Sequence, residues 1–183
     1  MTTVLFTRHG QTAWNAKRLL QGHTDIPLND TGREQAMACG KLIDVPVDVI
    51  CTSPLCRARE TAQIIARQIG FAGPIQVVDG LIERSFGSFE GTAFIPNNGF
   101  WQIDSPFNLG QTKLDVETLP ALFQRVGSCI DQLLAAYEGK TILLVSHGGV
   151  AVGVRHYFED PPADGNYHPL IPPNTCLLRY QIK

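Results

Sequence analysis

The sequence has little excess charge of either sign. Its 15 Lys and Arg stand against 17 Asp and Glu in 183 residues, a formal net charge of -2 at pH 7. No basic run offers the footprint that a nucleic-acid backbone needs, so nucleic acid is not an expected partner and an anionic ligand must be small and met locally. Long apolar runs are missing too. None approaches the roughly 18 residues of a membrane span, and no basic and apolar leader precedes the first strand-like run, so the expectation is a cytoplasmic protein with no membrane partner. The cysteines (Cys39, Cys51, Cys56, Cys129, Cys176) are odd in number, contain no Cys-x-x-Cys pair and lack zinc spacing, and are read as reduced thiols. The five histidines include no pair at i, i+4 and no carboxylate cluster beside them, so neither a metal nor another cofactor is expected. No Gly-x-Ser-x-Gly occurs, which removes the nucleophile elbow of a serine hydrolase.

What is present is ordinary for a globular chain: 44% hydrophobic and 17% charged residues, enough for one domain over 1–183 with a substantial core. Short runs rich in Val and Ile at 3–7, 47–52, 75–79 and 141–146 read as core strands, and "TCLLRYQI" as a last strand. Helical patterns lie between them. One begins at "NDTGREQA", where Thr31 and Glu34 have capping-box spacing, and runs to about Ile43. A second covers 55–69 with Ala58, Ala62, Ile65 and Ile69 on one face, and a third covers 117–137 with Leu122, Val126, Cys129 and Leu133 on one stripe. A shorter helix follows His147. Alternating strands and helices predict a three-layer α/β domain with a mostly parallel central sheet flanked by helices. The segments 91–112 and 159–174 lack periodicity and are long for plain connections, as functional loops often are. Nothing in the residues sets an oligomeric state.

Open α/β sheets bind ligands beyond the carboxyl ends of their strands. Thr7 and Ser146 are such ends. Arg8 and His9 follow the first and His147 the second, Arg57 lies about one turn into the helix after Thr52, and Glu83 falls past the run at 75–79. Topology alone thus brings two imidazoles, two guanidiniums and a carboxyl to one sheet edge. That set suits phosphoryl transfer. Arg8 and Arg57 can grip phosphate oxygens through planar, permanently charged donors. A neutral imidazole can attack phosphorus and split hydrolysis into two easier steps, and His9 is the candidate because Gly10 leaves its approach open. His147 is expected to be protonated beside the anion, and the "HGG" backbone from Gly148 to open a helix whose free N–H groups favour negative charge. Glu83 is the candidate proton shuttle, with Glu90 and Asp79 as rivals.

Four blocks in order, "TRHGQTAWN" (7–15), "SPLCRARETA" (53–62), "LIERSFGSFEG" (81–91) and "VSHGGV" (145–150), resemble the motifs of the histidine phosphatase superfamily, the phosphoglycerate-mutase-like proteins. The resemblance covers residues 3 to about 154. It implies His9 as phosphohistidine nucleophile, Arg8, Arg57 and His147 as the phosphate pocket, Glu83 as acid and base, and supporting contacts from Asn15, Gln21 and Gly22. The reaction it implies is metal-independent hydrolysis of a small phosphate ester.

His23, His156 and His168 are read as structural or surface residues. Phe94, Phe100, Trp101 and Phe107 fall at the mouth of the expected site, as lid packing or as ligand contacts. They point to an ester with a ring or other apolar body, of the kind α-ribazole phosphate exemplifies. Two rival functions remain. A phosphoglycerate mutase of this group resembles the chain but is longer, with extra basic residues in an insert after the Glu-Arg block, whereas here residues 92–116 contain one cation, Lys113. A non-catalytic phospho-ligand binder would use the same pocket, yet all five reactive groups are present.

Overall fold

The computed structural model describes residues 1–94 and 115–182. Strands β1 (Thr2–Arg8), β2 (Val49–Thr52), β3 (Ile75–Val77), β4 (Thr141–Ser146) and β5 (Leu177–Ile182) form one sheet in the order β3-β2-β4-β1-β5. All pairs are parallel except β1 with β5. The helices are α1 (Ala13–Ala16), α2 (Asp30–Leu42), α3 (Cys56–Gln68), α4 (Leu119–Ala136) and α5 (Gly148–Phe158).

Strand side chains alternate between the two faces, and here both faces are apolar. Leu5, Ile50, Leu143 and Val145 meet Cys39, Ala58, Ala62 and Ile65 from α2 and α3. Val4, Phe6, Ile142 and Leu144 meet Leu122, Val126, Ile130, Val150, Ala151 and Val154 from α4 and α5. Each fully buried Leu or Ile contributes about 1.5–3 kcal/mol, which is why β1 and β4 read as unbroken apolar runs. The α/β layering predicted from the sequence is therefore present.

Three local expectations change. The run at 75–79 was expected in the core, but β3 is an edge strand of three residues with Val77 half exposed, because it has a neighbour on one side only. The cap of α2 is Asn29, in extended backbone, whose side chain accepts from the Gly32 N–H at 2.8 Å; Thr31 is already helical and cannot act as the N-cap. The third long helix starts at Leu119 with Thr118 as its cap, slightly inside the expected range. The short α1 had no expectation, yet it carries a true capping box between Thr12 and Asn15. Among the described residues no helix is long and apolar enough to cross a membrane.

Candidate active site

The parallel register of β1 and β4 sets Arg8 opposite Ser146, so the chain leaves both strands at the same level. His9 and His147 emerge side by side, with ring centroids 5.2 Å apart. The His9 N–H donates to the Ser146 carbonyl at 2.8 Å, and Asn174 Nδ2 donates to the His9 carbonyl at 2.8 Å. β2 ends level with them, and Arg57 follows as the second residue of α3. Glu83 arrives from a 3-10 turn, Asp79–Leu81. That turn is tied to the sheet by Ser146 Oγ donating to the Leu81 carbonyl at 2.7 Å, and to α4 by Arg125 donating to the carbonyls of Gly80 and Ile82 at 2.9 Å each. All five groups predicted from the sequence therefore meet at one end of the sheet.

His9 is buried, and its Nδ1 lies 2.7 Å from the Gly10 carbonyl. A carbonyl only accepts, so Nδ1 carries the hydrogen and Nε2 keeps its lone pair. Burial, then the charges of Arg57 and Arg8, hold the imidazole well below its ordinary pKa of 6.5. It is a neutral, oriented base beside two cations. A Cβ at Gly10 would lie 2.2 Å from the Gly32 carbonyl oxygen, so the glycine admits the start of α2. Gly10→Ala should therefore lower stability by about 1–3 kcal/mol, the usual cost of overpacking, read as a fall in denaturant midpoint at unchanged slope; an unchanged midpoint would refute this packing role.

Arg57 is fully buried. Its Nη1 donates to the Thr24 carbonyl at 2.8 Å and its Nη2 to the Gly22 carbonyl at 2.7 Å. Arg8 Nη1 donates to the Pro172 carbonyl at 2.8 Å. Arg8 Nε, Arg57 Nε and His147 Nδ1 are buried without a partner among the described residues. An unsatisfied buried donor is costly, and a phosphate offers acceptors alone, so this set fits a phosphoryl group.

His147 Nε2 lies 2.6 Å from Ser53 Oγ, and Ser53 is a contact the sequence did not flag. The expectation of a protonated His147 concerns the site with its anion; without one the balance is different. Burial, then Arg57, His9 and Arg8, push its pKa well below 6.5. Unfolded, both imidazoles titrate near 6.5. Below that pH the unfolded chain binds protons that the folded chain refuses, so stability falls as pH drops from about 6.5 towards the depressed folded-state values. The thermal midpoint should decline between pH 7 and 5 and decline less with inorganic phosphate, whose charge favours a proton on His147. A flat midpoint would contradict the depressed values.

Glu83 Oε1 accepts from the N–H groups of Arg84 at 2.9 Å and Gly149 at 3.0 Å. This corrects the reading of the "HGG" backbone: one of the first N–H groups of α5 is already given to a carboxylate. A Cβ at Gly149 would lie 2.7 Å from Glu83 Oε1, and one at Gly148 3.0 Å from Ile171 Cγ2, so these glycines let the acid and the Ile171 side chain approach the helix end. Glu90 has both oxygens engaged in a loop, and Asp79 opens the turn before Glu83 and does not line the cavity described next.

A cavity of about 300 Å³ is lined by Arg8, His9, Asn15, Gln21, Gly22, Glu83 and Gly148. Arg57 and His147 are fully buried and are not part of this lining. Asn15 Oδ1 accepts from the Thr12 N–H at 3.1 Å and Gln21 Oε1 from the Thr12 hydroxyl at 2.9 Å, which fixes both amides. Arg18, Phe86, Ile171 and His168 also line it, and none of them was read as a site residue. His168, taken as structural or surface, stacks on Phe94 at 5.3 Å. Nothing in its local sequence signals this, because the chain returns there only through tertiary folding of the 159–174 segment. An adjoining, mostly apolar cavity of about 210 Å³ shares Phe86, Phe94, His168 and Ile171 and adds Leu119, Leu122, Val152 and Tyr167, with Arg84, Asp164 and Asn166 as its polar lining. Phe100, Trp101 and Phe107 lie outside the described residues. Among the described residues no group of three His, Cys, Asp or Glu could hold a metal ion.

Known proteins of similar sequence and fold share one family. An uncharacterized phosphatase, PhoE, of Bacillus subtilis is 38% identical over 149 residues, 81% of this chain and 72% of that protein. A metal-independent phosphoserine phosphatase of Arabidopsis thaliana is 31% identical over 165 residues, 82% of this chain and 66% of that one. The solved structure of Bacillus stearothermophilus YhfR superposes with a TM-score of 0.85 at 32% identity, covering 100% of this chain and 92% of that one. A mutant phosphoserine phosphatase from Entamoeba histolytica, in complex with phosphoserine, gives 0.83 at 26% identity over the same shares. The profile of the histidine phosphatase superfamily (branch 1) matches residues 4–183, and the chain belongs to that family.

Proposed function

We propose that the chain is a phosphoric monoester hydrolase that works through a phosphohistidine on His9. The observation that carries this reading is the hydrogen bond from His9 Nδ1 to its own chain, which leaves Nε2 unprotonated within the field of the Arg57 and Arg8 guanidiniums. In the first step Nε2 attacks phosphorus and the P–O bond to the alcohol breaks; Glu83 gives its proton to the departing oxygen. In the second, water attacks phosphorus, the P–N bond breaks, and Glu83 takes the proton that water loses. Arg8, Arg57 and His147 balance the charge on the equatorial oxygens, which is where preorganised donors contribute most to rate. Asn15, Gln21, Gly22 and Gly148 shape the phosphate end.

The substrate we propose is a small phosphorylated metabolite with an apolar or ring-bearing body, such as α-ribazole phosphate or a similar ester. The 210 Å³ annex beside the phosphate end supports this choice. The free thiols suit a reducing compartment, and the cytoplasm is the proposed address. A screen of phosphorylated metabolites with released phosphate as the readout tests the reading, and 3-phosphoglycerate in the screen separates the enzyme classes: a mutase would return its isomer without free phosphate. No step needs a metal, so turnover should survive EDTA. A loss reversed by Zn²⁺ or Mg²⁺ would overturn the mechanism.

A further inference from the structure

Glu90 makes no hydrogen bond or ion pair to the reactive groups, yet both its oxygens are occupied. Oε1 accepts from the N–H groups of His23 at 2.9 Å and Phe86 at 3.2 Å; Oε2 accepts from the Thr24 N–H at 2.9 Å and the Thr24 hydroxyl at 2.6 Å. Burial would raise its pKa, but these bonds outweigh burial and hold it below the ordinary value. The loop that gives most of these hydrogens faces the site on its other side. Carbonyls of Gly22 and Thr24 take both terminal nitrogens of Arg57. Asp25 Oδ1 accepts from the Cys56 N–H at 2.8 Å, at the start of α3. His23 Nε2 lies 2.8 Å from the Glu83 carbonyl and so donates to it. Gly22 has φ +53, and a Cβ there would stand 2.0 Å from Glu90 Oε1. The carboxylate therefore rests directly on the loop backbone, which cannot slide without displacing it.

We propose that Glu90 is a positioning residue: it fixes the 22–24 loop, whose two carbonyls aim the Arg57 guanidinium at the phosphoryl group. The proposal rests on the phosphohistidine reading. With Nη1 and Nη2 both committed to that loop, the plane of the guanidinium and the direction of its Nε–H follow the loop. Small misplacements of a charge-stabilising group cost up to roughly 10² in rate.

Glu90→Gln keeps the shape but sets an amide donor against N–H or O–H donors on one side. With p-nitrophenyl phosphate, the burst rate of phosphoenzyme formation should fall about tenfold, and inhibition by orthovanadate should weaken to a similar degree. In an Arg57→Ala background the same change should cost less than about twofold, because the group it positions is gone; in an Arg8→Ala background it should still cost about tenfold. A general structural role would cost the same factor in every background, and that result overturns the proposal. If Glu90→Gln does not fold, Thr24→Val, which deletes the 2.6 Å bond alone, goes through the same cycle; a loss confined to backgrounds that keep Arg57 supports the proposal and an equal loss in all of them overturns it. A wild-type chain that neither turns over the ester nor binds vanadate would instead remove the phosphohistidine reading, and the proposal with it.

Discussion

His9→Ala should reduce phosphate-ester hydrolysis by roughly 10⁴-fold or more, the scale seen when a covalent nucleophile is removed. Of the other imidazoles, His147 has one ring nitrogen engaged with Ser53 and His168, which also lines the cavity, stacks on Phe94; among the described residues no thiol lines it. The phosphate donors stay in place, so inorganic phosphate and vanadate should still bind within about tenfold of wild type while turnover collapses, the pattern of an interaction made only in the transition state. The variant loses the bond from Nδ1 to the Gly10 carbonyl but no packing partner in the apolar core, and should remain folded. Activity retained within tenfold would place the nucleophile elsewhere.

The second large effect concerns Glu83. If it protonates the departing oxygen, Glu83→Gln should lose on the order of 10² to 10⁴ in rate with an alkyl phosphate, the usual worth of general acid catalysis. p-Nitrophenolate leaves without a proton, so its burst should be slowed far less, although later attack by water still suffers. Single-turnover kinetics separate the two steps. The amide keeps an oxygen able to accept from Arg84 and Gly149, so a loss that follows the leaving group reports the proton and not the geometry. Equal burst losses for both esters would reduce Glu83 to an orienting role.

Much of this was legible in the residues because it follows from strand ends. Val4 to Phe6 and Ile142 to Val145 are apolar on both faces, which is the mark of a buried parallel strand, and whatever follows such a strand at its carboxyl end enters the crevice. Arg8, His9 and His147 were placed by that rule, and Arg57 by its distance from Thr52. Contacts that depend on how backbones approach one another were not legible. Gly10 reads locally as an open position, whereas its neighbour is Gly32, which lies 22 positions along the chain and is met only when α2 docks. The depressed pKa of His147 comes from burial and four neighbouring groups, a property of packing and not of its motif. Glu90 and Glu83 look alike in "LIERSFGSFEG"; what separates them is which donors reach each carboxylate, and those come from the 22–24 loop and from α5. Arg18 and His168 are single residues in unpatterned stretches with no periodicity to mark them, and Ser53, although it opens the 53–62 block, carries no local sign that it meets His147.

The central claim is that the phosphoryl group passes through Nε2 of His9. Wild-type protein mixed with a phosphate ester for a few milliseconds, quenched in alkali, digested and mapped by mass spectrometry tests it most directly. A phosphoryl group on the peptide bearing His9, stable in alkali, lost in acid and absent from His9→Ala, is the predicted result. Label on any other residue, or a burst of alcohol release with no phosphopeptide, would contradict the account.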